Sequence, residues 1–187
     1  MATAYFYFGK PINSDTVTSC ITGMRNQLAA RPQPGTNFSW DTFHVSIASG
    51  GGEVISAFSL FNQMAGMDAS IHTHNSGAVD SAALVPFLAG TRRTASKYSG
   101  FLLHQMVWTF PAPEQTKAQV AEVTGWLKNY DRMMAELISE RSKLSFDDAQ
   151  RMMKDGTNLT PEQALDYGII DAIEDFKAPR DTFTWMV

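Results

Sequence analysis

Three times within the first ninety residues a strand-like run gives way to helical spacing, and this alternation constrains the chain more than any single motif. Ala4-Tyr5-Phe6-Tyr7-Phe8 is aromatic after its first residue and stops at Gly9 and Pro11, as expected of an inner strand buried on both faces. From Asn13-Ser14 the apolar positions Val17, Cys20/Ile21, Met24 and Leu28 recur every three to four residues, the stripe of a helix that ends before Pro32. After the loop at 32–37, Phe43-His44-Val45-Ser46-Ile47 alternates and Gly50-Gly51-Gly52 interrupts. Helical spacing then resumes through Val54, Ala57/Phe58, Phe61 and Met64/Ala65. The third unit is a strand over 69–74, a turn at Asn75-Ser76-Gly77 and a short apolar helix over about 80–88, before Gly90. Such a chain predicts an α/β fold with a largely parallel sheet covered by helices, its chemistry at the carboxyl ends of the strands.

The second half changes character. Gly100-Phe101-Leu102-Leu103-His104 is strand-like, Pro111 and Pro113 break the chain, and a long helix is predicted over about 114–140. Its apolar residues Val120, Val123, Leu127, Tyr130, Met134 and Leu137 alternate steps of three and four, the seam that packs one helix on another, here in the same chain or in a neighbouring subunit. Ser145-Phe146-Asp147-Asp148 and Thr160-Pro161-Glu162-Gln163 each fit a capping box, so two short helices follow, the second ending at Gly168. With no linker, repeat or low-complexity tract, and with roughly 150 residues per domain as a guide, the 187 residues form one domain, 1–187, with a loosely specified tail at 177–187.

Composition serves mainly to exclude. The net charge is −4 and no basic cluster exceeds Arg92-Arg93, which argues against nucleic acid as a partner. One cysteine, Cys20, closes no intrachain disulfide, and nothing like a signal peptide opens the chain, so a cytoplasmic setting is expected. The longest nearly uncharged stretch, 66–91, carries Asp68, Asp80 and two histidines, so no membrane span is expected.

Three segments are chemically suggestive. Ser81 falls between a strand and a short helix, where unpaired backbone amides and the helix dipole favour negative charge on a tetrahedral oxyanion; it is equally explained as a helix cap. Gly50-Gly51-Gly52 sits at a second strand-to-helix junction, where glycine permits close backbone approach, or a plain turn. His104-Gln105 ends a strand 23 residues after Ser81, and imidazole is the usual base for a serine hydroxyl. His72 and His74 share a strand face, but no third ligand stands at standard spacing, so no metal and no cofactor are expected.

In this order the segments resemble the Clp protease proteolytic subunit family, self-assembling serine peptidases of the ClpP/crotonase-like fold, a β-β-α superhelix with a protruding handle helix. The resemblance covers nearly the whole chain. Ile47-Ala48-Ser49-Gly50-Gly51-Gly52 stands where the family has its Ser-Pro-Gly-Gly turn, Gly77 to Ala83 where it has Gly-x-x-x-Ser, and His104-Gln105 where it has His-Gln-Pro. Residues 114–140 take the place of the handle helix that pairs heptameric rings, and Thr160-Pro161-Glu162-Gln163-Ala164-Leu165-Asp166-Tyr167-Gly168-Ile169-Ile170-Asp171 looks like the family's closing segment. The resemblance implies Ser81 as nucleophile, His104 as base, the amides of Gly51 or Gly52 with Ala82 as oxyanion hole, and a peptide or unfolded-protein substrate for a homo-oligomer.

The departures are equally specific. The family's triad aspartate falls eleven residues before the tyrosine of Tyr-Gly, which here is Gly156; Asp155, one position away, is the expected acid, with Asn158, Asp147 and Asp148 as alternatives. The Asp80-Ser81 pair is also similar to the related signal peptide peptidase group, whose base is lysine, making Lys97 and Lys143 the alternatives to His104. The family's proline and glycine-rich strand after the histidine are replaced by Met106-Val107-Trp108-Thr109-Phe110. With the first strand near Ala4, the amino-terminal helix and pore loops that help dock an unfoldase ATPase are not expected, which speaks against that partner. Two other readings compete with the peptidase: a ring scaffold that has lost its acid, and an acyl-CoA hydratase or isomerase of the same fold, which would need a carboxylate base where Ser81 stands.

Overall fold

A computed structural model describes residues 2–29, 40–109, 114–180 and 183–187. The loop at 32–37 and the breaks at Pro111 and Pro113 lie outside the described residues. In chain order the first elements are β1 (Ala2–Phe8), α1 (Ser14–Ala29), β2 (Trp40–Ser49), α2 (Val54–Ala65) and β3 (Ser70–Asp80). A 3-10 turn (Ser81–Ala83), α3 (Leu84–Phe87), β4 (Arg92–Ala95) and β5 (Gly100–Leu103) follow. The rest comprises α4 (Lys117–Arg141), α5 (Phe146–Asp155), β6 (Thr157–Leu159), α6 (Pro161–Asp166), β7 (Ala172–Ile173) and β8 (Phe183–Met186).

One sheet runs in the order β6-β5-β3-β2-β1-β8, with β4 and β7 branching from β3. All pairs are parallel except β5 with β6. The aromatic strand β1 is interior, as its composition requires, because β2 flanks one side and β8 the other. Phe6, Phe43 and Val45 share one core with Val17, Cys20 and Met24 of α1 and with Ala57, Leu60 and Met64 of α2. The spacing that predicts these helices is thus the spacing of buried side chains.

Two expectations are corrected. The turn at Asn75-Ser76-Gly77 is absent: β3 continues to Asp80, exchanging β4 (partners of 72–75) for β5 (partners of 78–80) across a bulge opposite β2. Fully buried Asn75 bridges that exchange, its side-chain amide donating to the Gly100 carbonyl at 2.7 Å and its carbonyl oxygen accepting the Gly77 N–H at 3.0 Å. The turn-like composition therefore serves a bulge. The second concerns the described end of the tail. Its residues 183–186 form the edge strand β8, and the Trp185 ring lies so close to α1 that a Cβ on Gly23 would stand 2.8 Å from it.

The long helix begins at Lys117 rather than 114, because Thr116 and Gln119 form a capping box. Of its seam, Met134 and Leu137 are buried, while Val120, Val123, Leu127 and Tyr130 are exposed or half-exposed, so the first half of α4 projects from the core. Among the described residues no helix is long and apolar enough to cross a membrane.

The sheet face away from Phe6 carries Tyr5, His44, His72 and Arg92 in one cross-strand row and Tyr7, Ser46, His74 and Thr94 in the next. His74 is 3% exposed, its Nδ1 paired with Thr94 Oγ1 at 2.8 Å and its Nε2 with Ser96 Oγ at 2.9 Å. Burial pushes its pKa down to about 4, against the opposing pull of Glu174 and Asp175, and burial lowers His44 and His72 as well. A ring neutral in the folded chain but protonated when unfolded costs stability as pH falls from about 6.5 towards 4. By the lower limit His74 alone removes up to about 3 kcal/mol. Urea unfolding at pH 7 and at pH 4.5 should show this loss in wild type and a shallower one in His74→Gln; equal slopes would contradict it.

Candidate active site

The carboxyl ends of β2 and β3 meet at the junctions that the glycine run and Ser81 occupy. Ser81 follows β3 with φ 57°, the sole non-glycine residue with positive φ among the described residues. That conformation costs roughly 1–2 kcal/mol for a residue with a Cβ. It is the geometry of a sharp strand-to-helix turn that lifts a hydroxyl clear of the backbone. Gly51 (φ 92°) makes the turn possible from the other side: a Cβ there would stand 2.8 Å from both the Asp80 carbonyl oxygen and Ser81 Cβ. Gly52 (φ 146°) forms a parallel bridge with Ile12, in which the Ile12 N–H donates to Gly51 O and the Glu53 N–H to Ile12 O, each at 2.8 Å. The Gly51 N–H points inward to Ser49 Oγ at 3.2 Å, whereas the Gly52 N–H takes no part in the Ile12 bridge. Of the two glycines, Gly52 and not Gly51 lines the cleft that Ser81 faces.

Ser81 and His104 line one cleft of about 490 Å³ with Ile12, Val54, Ile55, Met106, Trp108 and Trp126. No hydrogen bond joins Ser81 to His104 in this conformation. Unliganded sites are often loose in this way. The imidazole instead uses Nδ1, 2.6 Å from the Gln105 carbonyl oxygen. A carbonyl only accepts, so the proton of the neutral ring sits on Nδ1 and Nε2 is left with its lone pair, the form a general base requires.

Asp155 is not brought to this ring. It is the exposed last residue of α5, ahead of Gly156, whose φ of 65° closes the helix in a left-handed cap. The backbone does run alongside, since Gln105 N–H donates to Met153 O at 3.0 Å and Leu103 pairs with Thr157, yet the aspartate side chain makes no bond to His104. Asn158 is exposed opposite Leu102, and Asp148 is held by Ser145 Oγ at 2.7 Å and Arg151 at 2.6 Å. Asp147 lines a separate depression. Neither lysine alternative lines the cleft: Lys97 lies over the Tyr98 ring and Lys143 donates to the Asp166 carbonyl.

Two carboxylates escape the sequence reading as neighbours of His104. Asp80 pairs with Leu102 in register, and burial raises its pKa against the Leu102 amide and the His104 charge. Asp131, on α4, accepts the Met106 N–H at Oδ1, 2.7 Å away; burial raises its pKa too, against the same amide contact and the His104 charge. It stands one residue after Tyr130 of the apolar seam, so only the fold reveals it.

The Clp protease family model matches residues 37–177. The chain is 28% identical over 136 residues to ATP-dependent Clp protease proteolytic subunit 1 of Corynebacterium diphtheriae, covering 70% of this chain and 63% of that protein. It is 30% identical over 132 residues to the subunit of the same name from Thermobifida fusca, covering 68% and 57%. It is 24% identical over 177 residues to that of Prochlorococcus marinus, covering 94% and 85%. The matched region thus spans about six tenths of the length of the first two relatives. Among solved structures, a point mutant of ClpP1 from Listeria monocytogenes has a TM-score of 0.79 at 16% identity over 92% of each chain, a likeness of fold.

Proposed function

Since the chain belongs to the Clp protease family, we propose that it is a serine-type endopeptidase that cleaves small or unfolded peptides through an acyl-enzyme. In this reading Ser81 Oγ attacks the peptide carbonyl while His104 Nε2 takes its proton and passes it to the leaving amine; water then attacks the ester and regenerates the serine. The Gly52 and Ala82 amides hold the oxyanion, and Gly51 keeps the backbone close enough to Ser81 for them to do so. The observation that carries the proposal is the presence of a strained serine and a histidine with a free Nε2 in one cleft. Asp155 is given no step. The half-exposed seam of α4 supports packing against a second copy, and family resemblance extends this to rings. No unfoldase partner, nucleic acid or cofactor enters the proposal.

A ring scaffold without activity is the second reading, favoured by the missing Ser81–His104 hydrogen bond. A small fluorophosphonate, followed by intact mass and peptide mapping, separates the two. The peptidase predicts a single adduct on the peptide containing Ser81; an unmodified, folded and assembled protein would leave the scaffold.

A further inference from the structure

A base that takes a proton from serine becomes an imidazolium, and its remote nitrogen then needs an acceptor that favours positive charge. In this chain the remote nitrogen meets the Gln105 carbonyl, an uncharged group, 2.6 Å away. The same peptide unit carries the Met106 N–H, which donates to Asp131 Oδ1 at 2.7 Å. That peptide is trans, so its C=O and N–H point in opposite directions and place the imidazole and the carboxylate on opposite sides of one planar group. We propose that Asp131 is the acid of this site, a positioning residue that acts on His104 through the Gln105–Met106 peptide rather than by touching the ring.

A carboxylate drawing on the Met106 N–H polarises the peptide and enriches its carbonyl oxygen, strengthening the bond to Nδ1–H; consecutive hydrogen bonds reinforce each other in this way. The converse also holds, since the His104 charge favours the ionised Asp131 against the effect of burial. The Gln105 N–H bond to Met153 O, on α5, fixes the flank of the same segment. Asp80 also feels the His104 charge, but among the described residues no other charged side chain is bonded to the peptide that Nδ1 meets. Asp80 meets the Leu102 amide, Glu53 accepts the Ser56 hydroxyl at 2.8 Å, and Asp155 is exposed. Asp147, Arg151 and Lys154 share the depression beneath Asp131 and are its own neighbours. The site would thus draw its acid from the long helix, which explains how a chain with Gly156 in the triad-acid register keeps a functional histidine.

The inference rests on the serine-peptidase reading, and the test separates the two. Asp131→Asn keeps an oxygen for the Met106 N–H and removes the charge, and Asp155→Asn is its control. In Asp131→Asn the rate of Ser81 acylation by the fluorophosphonate should fall about ten- to hundredfold, the size of effect typical of altering a group that orients a functional side chain from one shell out. The acid limb of its pH profile should move to lower pH while KM for a peptide stays unchanged. Nitrogen-15 spectra of the imidazole should show part of the Nδ1 proton redistributed to Nε2. Asp155→Asn should match wild type. An Asp131→Asn protein within twofold of wild type with an unchanged tautomer, or a loss confined to Asp155→Asn, would overturn the inference. A wild-type protein that takes no adduct, with the tautomer shift still present in Asp131→Asn relative to it, would overturn the peptidase and uphold the relay.

Discussion

Alanine at position 81 is expected to lower turnover of an unstructured peptide by about 10³-fold or more while leaving the unfolding midpoint nearly unchanged. The two halves of this expectation have separate causes. Ser81 Oγ makes no hydrogen bond among the described residues and the residue is half-buried, so removing the hydroxyl orphans no partner. Alanine also inherits the φ of 57°, and with it the same backbone strain. Glycine at this position would be equally inactive but should be more stable by about 1 kcal/mol, because it adopts that φ freely. Peptide hydrolysis and urea unfolding on the two variants check both halves. Activity retained in Ser81→Ala would dismiss Ser81 as the nucleophile, and glycine no more stable than alanine would dismiss the strain.

The strands and helices of the first half were legible because each answers to a local period: alternation in β2, three-to-four spacing in α1 and α2. What escaped the sequence has no period. Short β4, β6 and β7 gain their pairing only from the neighbours they meet, and β8 owes its place to a gap above Gly23 that fits an indole. Asn75-Ser76-Gly77 has turn composition because a bulge needs the same residues. At the site, Ser81 and His104 stood out by their positions at strand ends, and the structure brings both to one cleft. The charge near His104 was illegible for a different reason. Sequence reasoning looks for an acid in contact with imidazole, whereas Asp131 meets the next peptide and comes from a helix 27 residues further along.

The three consecutive glycines, indistinguishable by composition, are expected to respond to alanine in three different ways, and Gly52→Ala should be the most damaging. A Cβ on Gly52 would lie 2.2 Å from Ile12 O and 2.9 Å from Ile12 N, both backbone atoms that no rotamer change can move. Ile12 is 1% exposed and held by two 2.8 Å hydrogen bonds, so relieving the overlap means breaking the bridge between the first β-α connection and the glycine turn. Two hydrogen bonds, a φ of 146° forced on alanine and displacement of a buried isoleucine together place the cost at about 3–5 kcal/mol. Gly51→Ala overlaps the Asp80 carbonyl oxygen and Ser81 Cβ, each at 2.8 Å, and so should cost activity through a displaced serine as well as stability. Gly50→Ala meets nothing within 4 Å and should fall within about 0.5 kcal/mol of wild type. Urea unfolding of the three variants tests the ranking. If Gly52→Ala were as stable as Gly50→Ala, the Ile12 bridge would not be holding this turn, and the amide assigned to the oxyanion would have no fixed support.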